Sequence, residues 1–216
     1  MTTTTPRIYA ACLASYNNGV LHGLWIDATA DIDAMQAEVN AMLEASRFPN
    51  VNRQKYSDEF GATQYLDAMT PADSIPDGWT PIGESFPSAE EWAIHDSEGL
   101  GNIGEYAGLA EIARRVAIID IADERNIPAA VLIEAMADMG ADDAESFCDD
   151  SYDGTAETWE SFCEERFTES GGTEGVPESV QFYIDFERMG RDWSISGDWS
   201  AYRASDTSEL YFFRNC

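Results

Sequence analysis

The chain has 216 residues, of which 44% are apolar and 12% aromatic, enough to bury real cores. Its charge is one-sided: 41 acidic against 12 basic residues give a formal −29 at pH 7 and a pI near 4.1. Such a field repels nucleic acid and anionic membrane while attracting basic surfaces, which argues against direct nucleic-acid binding. No apolar run approaches the roughly 20 residues of a membrane span.

After a polar leader, residues 7–15 are rich in strand formers, Tyr16-Asn17-Asn18-Gly19 reads as a turn, and residues 20–27 read as a second strand. Thr29 or Asp31 can cap a helix running to about Ser46, with Ile32, Met35, Val39, Met42 and Leu43 on one face. Residues 48–89 lose periodicity and gather Pro, Gly, Ser and Thr, so an irregular insertion is expected, with one short strand or helix near 56–69. Residues 90–96 look like a strand closing the first sheet. Helices are expected at about 108–124, from Pro128 (with Asn126 as cap) to Gly140, and from Thr155 with a Trp159, Phe162, Cys163, Phe167 stripe. A short helix over 177–189 and strands at 193–195, 198–203 and 210–213 complete the reading.

The expected class is therefore α+β, as three small domains in a row: an α+β sheet domain at 6–105 carrying the 48–89 insertion, a helical domain at 106–146, and an α+β domain at 147–216. Cys12, Cys148, Cys163 and Cys216 are widely spaced with no C-x-x-C pair and no signal peptide ahead of them. They read as free thiols in a reducing cytoplasm.

Chemical motifs are scarce. His22 and His95 stand apart, without H-x-x-x-H, G-x-S-x-G or a phosphate loop, so each reads as structural and no catalytic or cofactor-binding set is expected. Paired carboxylates of the kind a glycoside hydrolase needs are uninformative among 41 acids. One local pattern is sharper: residues 149–160 place Asp149, Ser151, Asp153, Glu157 and Glu160 at loop positions 1, 3, 5, 9 and 12 with Gly154 at 6, as in an EF-hand calcium loop. Ala156 at position 8, the lack of a convincing incoming helix before Asp149 and the lack of a second hand favour a turn that caps the following helix.

What remains is the acid itself. Between Arg125 and Arg166 lie twelve Asp and Glu residues and no Lys or Arg, and a second such run of twelve lies between Tyr56 and Ala113. Aromatic and aliphatic residues recur at helical spacing through the first of these, so the acid is carried on a folded scaffold. Acids at i and i+4 of a helix lie about 6 Å apart along its axis, a spacing comparable to that of phosphates on a nucleic-acid strand. Such a surface can occupy a groove lined with Lys and Arg; the alternative is a solvated surface adapted to salt.

Three ordered segments bear on that choice. Arg7-Ile8-Tyr9 through Tyr16-Asn17-Asn18-Gly19 to Gly23-Leu24-Trp25-Ile26-Asp27 resembles the opening of the ArdA antirestriction proteins. Glu91-Trp92-Ala93-Ile94-His95-Asp96, continuing to Glu105-Tyr106, resembles that family's E-x-A-I-H-D segment. Val176-Pro177 through Tyr183-Ile184-Asp185-Phe186 to Gly190-Arg191-Asp192 resembles its V-P-x-x-L-x-x-Y-I-D-Y and G-R-D signature. The 48–89 insertion and the C-terminal end depart from the family pattern.

The resemblance implies a cytoplasmic, non-enzymatic, elongated homodimer whose carboxylates imitate DNA and occupy the DNA-binding groove of the methyltransferase core of type I restriction-modification enzymes. A mobile genetic element is its implied setting. The display is expected from Asp138, Asp142, Asp143, Glu145, Asp149, Asp150, Asp153, Glu157, Glu160, Glu164, Glu165 and Glu169. The dimer contact is expected from Val176, Pro177, Val180, Tyr183, Ile184 and Phe186. The competing reading is a calcium-binding or salt-adapted acidic cytoplasmic protein.

Overall fold

The computed structural model describes residues 5–205 and 207–215 and is mixed α+β, with three small antiparallel sheets and eight α-helices among those residues. The chain divides into two compact units, Met1–Val116 and Ala117–Cys216, the division falling within one helix.

In the first unit, β1 (Arg7–Cys12) is the middle strand of a sheet ordered β2-β1-β6, with β2 (Gly23–Asp27) and β6 (Trp92–Glu98) antiparallel on either side. Ile8, Ala10, Ala11 and Cys12 are all buried, and since neighbouring strand residues point to opposite faces, β1 is buried on both faces over its last three residues. β1 and β2 pair as the expected hairpin and Gly19 takes the expected positive φ of 74°, but the connection also holds a short helix, α1 (Leu13–Asn17), whose N-terminus the Cys12 sulfur caps. Asp31 caps α2 (Ile32–Glu44), its carboxylate accepting from the Ala34 N–H at 2.9 Å. Met35, Val39, Met42 and Leu43 are buried as expected, whereas Ile32, in the first turn, is exposed.

The 48–89 insertion is not irregular. It forms its own sheet, ordered β4-β3-β5, from β3 (Val51–Ser57), β4 (Thr63–Asp67) and β5 (Thr80–Ser88). Pro81 and Pro87 are tolerated because β5 is an edge strand with one side unpaired.

Helix α3 (Leu109–Glu124) matches its expected span, and α4 (Ala129–Met139) follows. Asn126 does not cap α4; it takes a left-handed turn with φ 55°, and Pro128 occupies the cap position. Gly140 ends the helix at φ 69°, a conformation that costs a residue with a Cβ about 1 kcal/mol. Helix α5 (Ala144–Ser151), absent from the sequence reading, runs directly into β7 (Tyr152–Ala156). The next helix, α6 (Trp159–Glu169), begins four residues later than expected because Thr155 belongs to β7 and Thr158 supplies the cap, paired with Ser161 in a capping box.

The expected 177–189 helix is two: α7 (Glu178–Gln181) and α8 (Phe186–Ser196), the latter absorbing Trp193 and Ile195, which had read as a strand. Strands β8 (Trp199–Arg203) and β9 (Leu210–Arg214) then form a sheet ordered β7-β9-β8.

Consecutive residues of β9 explain how this second unit is layered. Phe213 stacks on Phe147 of α5 at 5.4 Å, while Phe212 stacks on Phe162 of α6 at 3.8 Å with the rings parallel. Neighbouring strand residues point to opposite faces, so α5 covers one side of the sheet and α6 the other. Both phenylalanines are fully buried, each worth roughly 1.5–3 kcal/mol of transfer free energy. Ile118, Ile127, Leu132 and Met136 of the helical segment share the Phe213 side with Tyr202 and Tyr211. Cys12, Cys148 and Cys163 are free and buried; Cys216 lies outside the described residues.

Candidate functional site

Because the second-unit sheet is covered on both faces, the outer surfaces of its helices are what solvent meets. Asp138 lies at the end of α4. Asp142 and Asp143 lie in the connection to α5, and the Asp143 carboxylate caps α5 by accepting from the Ser146 N–H at 2.8 Å. Glu145, Asp149 and Asp150 are on α5, and Glu160, Glu164, Glu165 and Glu169 on α6, with Glu157 just before it. All of these are exposed. Asp138, Asp142, Asp143, Glu145, Asp150, Glu157, Glu160 and Glu164 make no salt bridge among the described residues.

Several of these acids oppose local helix stability. Asp149 and Asp150 end α5, where the helix dipole is negative. Glu160 and Glu164, and Glu165 and Glu169, are like-charged i,i+4 pairs, each costing a few tenths of a kcal/mol. The cations present are few: Arg125 pairs with Asp149, and Arg166 lies 3.5 Å from Glu165 and 3.1 Å from Glu169.

Asp153 differs from the other eleven. It is half-buried on β7, accepting from the Trp199 indole N–H at 2.8 Å and from Arg214 at 3.3 Å, with Arg166 at 3.6 Å. Its charge is answered inside the fold.

The structure brings four of the acids together. Asp138, Asp142, Asp143 and Asp150 line one open cavity of about 720 Å³ with Ser146, Tyr202 and Asn215. It does not assemble a calcium loop from residues 149–160. Asp149 to Ser151 are helical and Tyr152 to Ala156 are paired with β9, so the alternate oxygens cannot converge as they do in a free loop. No group of three or more His, Cys, Asp or Glu residues placed to hold a metal ion is found among the described residues.

His22 bonds to the Met42 carbonyl oxygen at 2.7 Å through its Nε2, and His95 packs edge-on against Tyr16. Both serve the fold of the first unit. Burial lifts the Cys163 thiol to about 11 and raises that of Cys148 as well, so neither is an activated nucleophile.

The segment from Val176 to Phe186 forms an apolar surface. Val176, Ile184 and Phe186 are half-buried, with Phe186 against Phe167 at 6.0 Å, while Pro177, Val180 and Tyr183 are exposed. Phe182, which the sequence reading left out of the contact set, is the most exposed at 89% and packs edge-on against Tyr183.

The second unit is thus an α+β scaffold that carries exposed carboxylates without salt bridges on and beside its helices. A family model described as antirestriction protein (ArdA) matches residues 8–205, and the chain belongs to that family. Membership implies antirestriction, with inhibition rather than catalysis as the activity and type I restriction enzymes as the interacting class. Among curated proteins no match was found. No helix among the described residues is long and apolar enough to cross a membrane.

Proposed function

We propose that this chain blocks type I restriction by DNA mimicry, its surface carboxylates occupying the groove of the methyltransferase core that otherwise holds duplex DNA. The observation that carries the reading is the set of exposed acids without salt bridges on and beside α5 and α6, among them Asp150 at the negative end of α5 and the like-charged pair Glu160 and Glu164. Exposed carboxylates that no cation of the fold answers are accounted for by an external basic partner. Association releases counterions from the acid surface as it does from DNA, so affinity falls steeply with salt.

The reading carries a three-domain division at 6–105, 106–146 and 147–216, a cytoplasmic setting on a mobile genetic element, and a homodimer formed through Val176, Pro177, Val180, Tyr183, Ile184 and Phe186. Competition tests it: the purified chain displaces a DNA duplex from a type I methyltransferase at low salt. Undiminished DNA binding at micromolar chain would end the proposal.

A further inference from the structure

The sheet made by β3, β4 and β5 ends in a tip. Ser57, the last residue of β3, pairs with Thr63 at the start of β4 and with Thr80 at the start of β5, so the turn at 58–62 and the segment at 75–79 lie at the same end. Residues 59–63 and 76–78 are exposed there. Phe60 is exposed to 87%, and Ile75 and Trp79 of the neighbouring segment are half-buried.

The phenyl ring is carried on a fixed backbone. Asp58 Oδ1 accepts from the Phe60 N–H at 3.0 Å and from the Ala62 N–H at 2.8 Å, while the Asp58 N–H donates to the Ala62 carbonyl at 3.1 Å. The Thr80 hydroxyl donates to the Ser57 carbonyl at 3.3 Å and ties the second segment to the first. A ring held this way before binding loses little entropy on binding.

The charge around it has one sign. Asp58, Glu59 and Asp77 share the tip, and no Lys or Arg occurs between Lys55 and Arg114. Lys55, the last cation before that run, packs over the Tyr65 ring at 5.5 Å on the body of the sheet. Glu59 and Asp77 are exposed and make no salt bridge among the described residues. An apolar ring set among acids is repelled by nucleic acid and by anionic membrane, and it suits an apolar pocket within a basic surface.

We infer that Phe60 is an anchor for the restriction enzyme, its ring entering an apolar pocket in the basic surface that the carboxylates engage. This rests on the proposed function and adds to it a contact of different chemistry. The carboxylates act through charge and weaken with salt, whereas burial of a phenyl ring hardly responds to moderate salt. The tip belongs to the 48–89 segment, which holds none of the three family motifs, so the anchor is separate from them.

Competition of the full chain with a DNA duplex for a type I methyltransferase, repeated at several salt concentrations, tests the assignment, with circular dichroism as the check on folding. F60A is expected to weaken displacement about tenfold at every salt concentration and to leave the slope of log affinity on log salt unchanged, and F60L to recover most of the loss. Met69 is the matched control: it is also 87% exposed but follows the opposite end of β4, and M69A should displace DNA as the wild type does.

Undiminished displacement by folded F60A overturns the anchor and leaves mimicry standing. A loss in F60A that disappears as salt rises, or an equal loss in M69A, overturns it as well. A wild type that displaces no duplex ends mimicry and the anchor together. Sedimentation velocity on the same proteins judges the other occupant: self-association of the wild type that F60A abolishes assigns the tip to a second copy and overturns the enzyme contact.

Discussion

The Trp199 indole N–H donates to Asp153 Oδ2 at 2.8 Å, joining the two edge strands β7 and β8 across the middle strand β9. The same oxygen accepts from Arg214 on β9 itself at 3.3 Å. One carboxylate thus ties all three strands. Asp153→Ala is expected to cost about 1–3 kcal/mol in urea unfolding and to leave the inhibition of the remaining folded protein nearly unchanged. Asp150→Ala, three residues earlier and exposed, is expected to leave stability within about 0.5 kcal/mol.

The distributed acids give the opposite pattern. Glu157→Gln, Glu160→Gln or Glu164→Gln alone should weaken displacement of DNA roughly twofold, within the range of single exposed charges. All three together with Asp150→Asn should weaken it about tenfold or more and flatten the dependence of log affinity on log salt. A single change that abolished inhibition in a folded variant would point to a focal site instead.

Tyr152 gives an alkaline signature. Burial first, then the nearby Tyr211, Cys148 and Glu209, push its phenol up to about 12 from an ordinary 10. The folded state favours the neutral phenol, so this contribution is whole below pH 10 and is lost as pH rises from about 10 to about 12. The total is on the order of 2 kcal/mol. Urea midpoints taken across that window should fall less steeply in Tyr152→Phe than in the wild type.

The closeness of α6 and α8 is testable at one atom. Gly190→Ala places a methyl 2.8 Å from backbone atoms of Trp159 and Glu160, which a rotamer change cannot relieve. A loss of about 1–3 kcal/mol is expected in denaturant unfolding. Ser194→Ala, elsewhere on α8 and exposed, is the control that should stay within about 0.5 kcal/mol.

Much of the fold was readable where one periodicity prevailed. Met35, Val39 and Met42 announced α2, and the strand formers of residues 7–15 announced β1. Reading failed where burial was too slight to impress a period. β5 is exposed along almost its whole length and carries two prolines, so nothing in it alternates. α5 buries only Ala144, Phe147, Cys148 and Ser151, and its closing Asp149-Asp150 resembled a loop.

Trp193 looked like a strand residue, yet its place three residues after Gly190 put it on the buried side of α8, stacked on Trp199 at 4.6 Å. The acids were countable from the chain but not separable by role. Asp150 and Asp153 are alike in sequence, and only the fold brings Trp199 and Arg214 to the second.

The crossing at Gly190 divides the second unit by what inheritance tolerates. The outer acids can exchange Asp for Glu, or shift by one turn, and leave the field seen by a partner much as it was, so different members of a lineage can carry quite different surface sequences. Position 190 has no such freedom, since its side chain is a single hydrogen atom. A chain of this kind is expected to diverge fastest on the face that meets its target and slowest at a contact its target never touches.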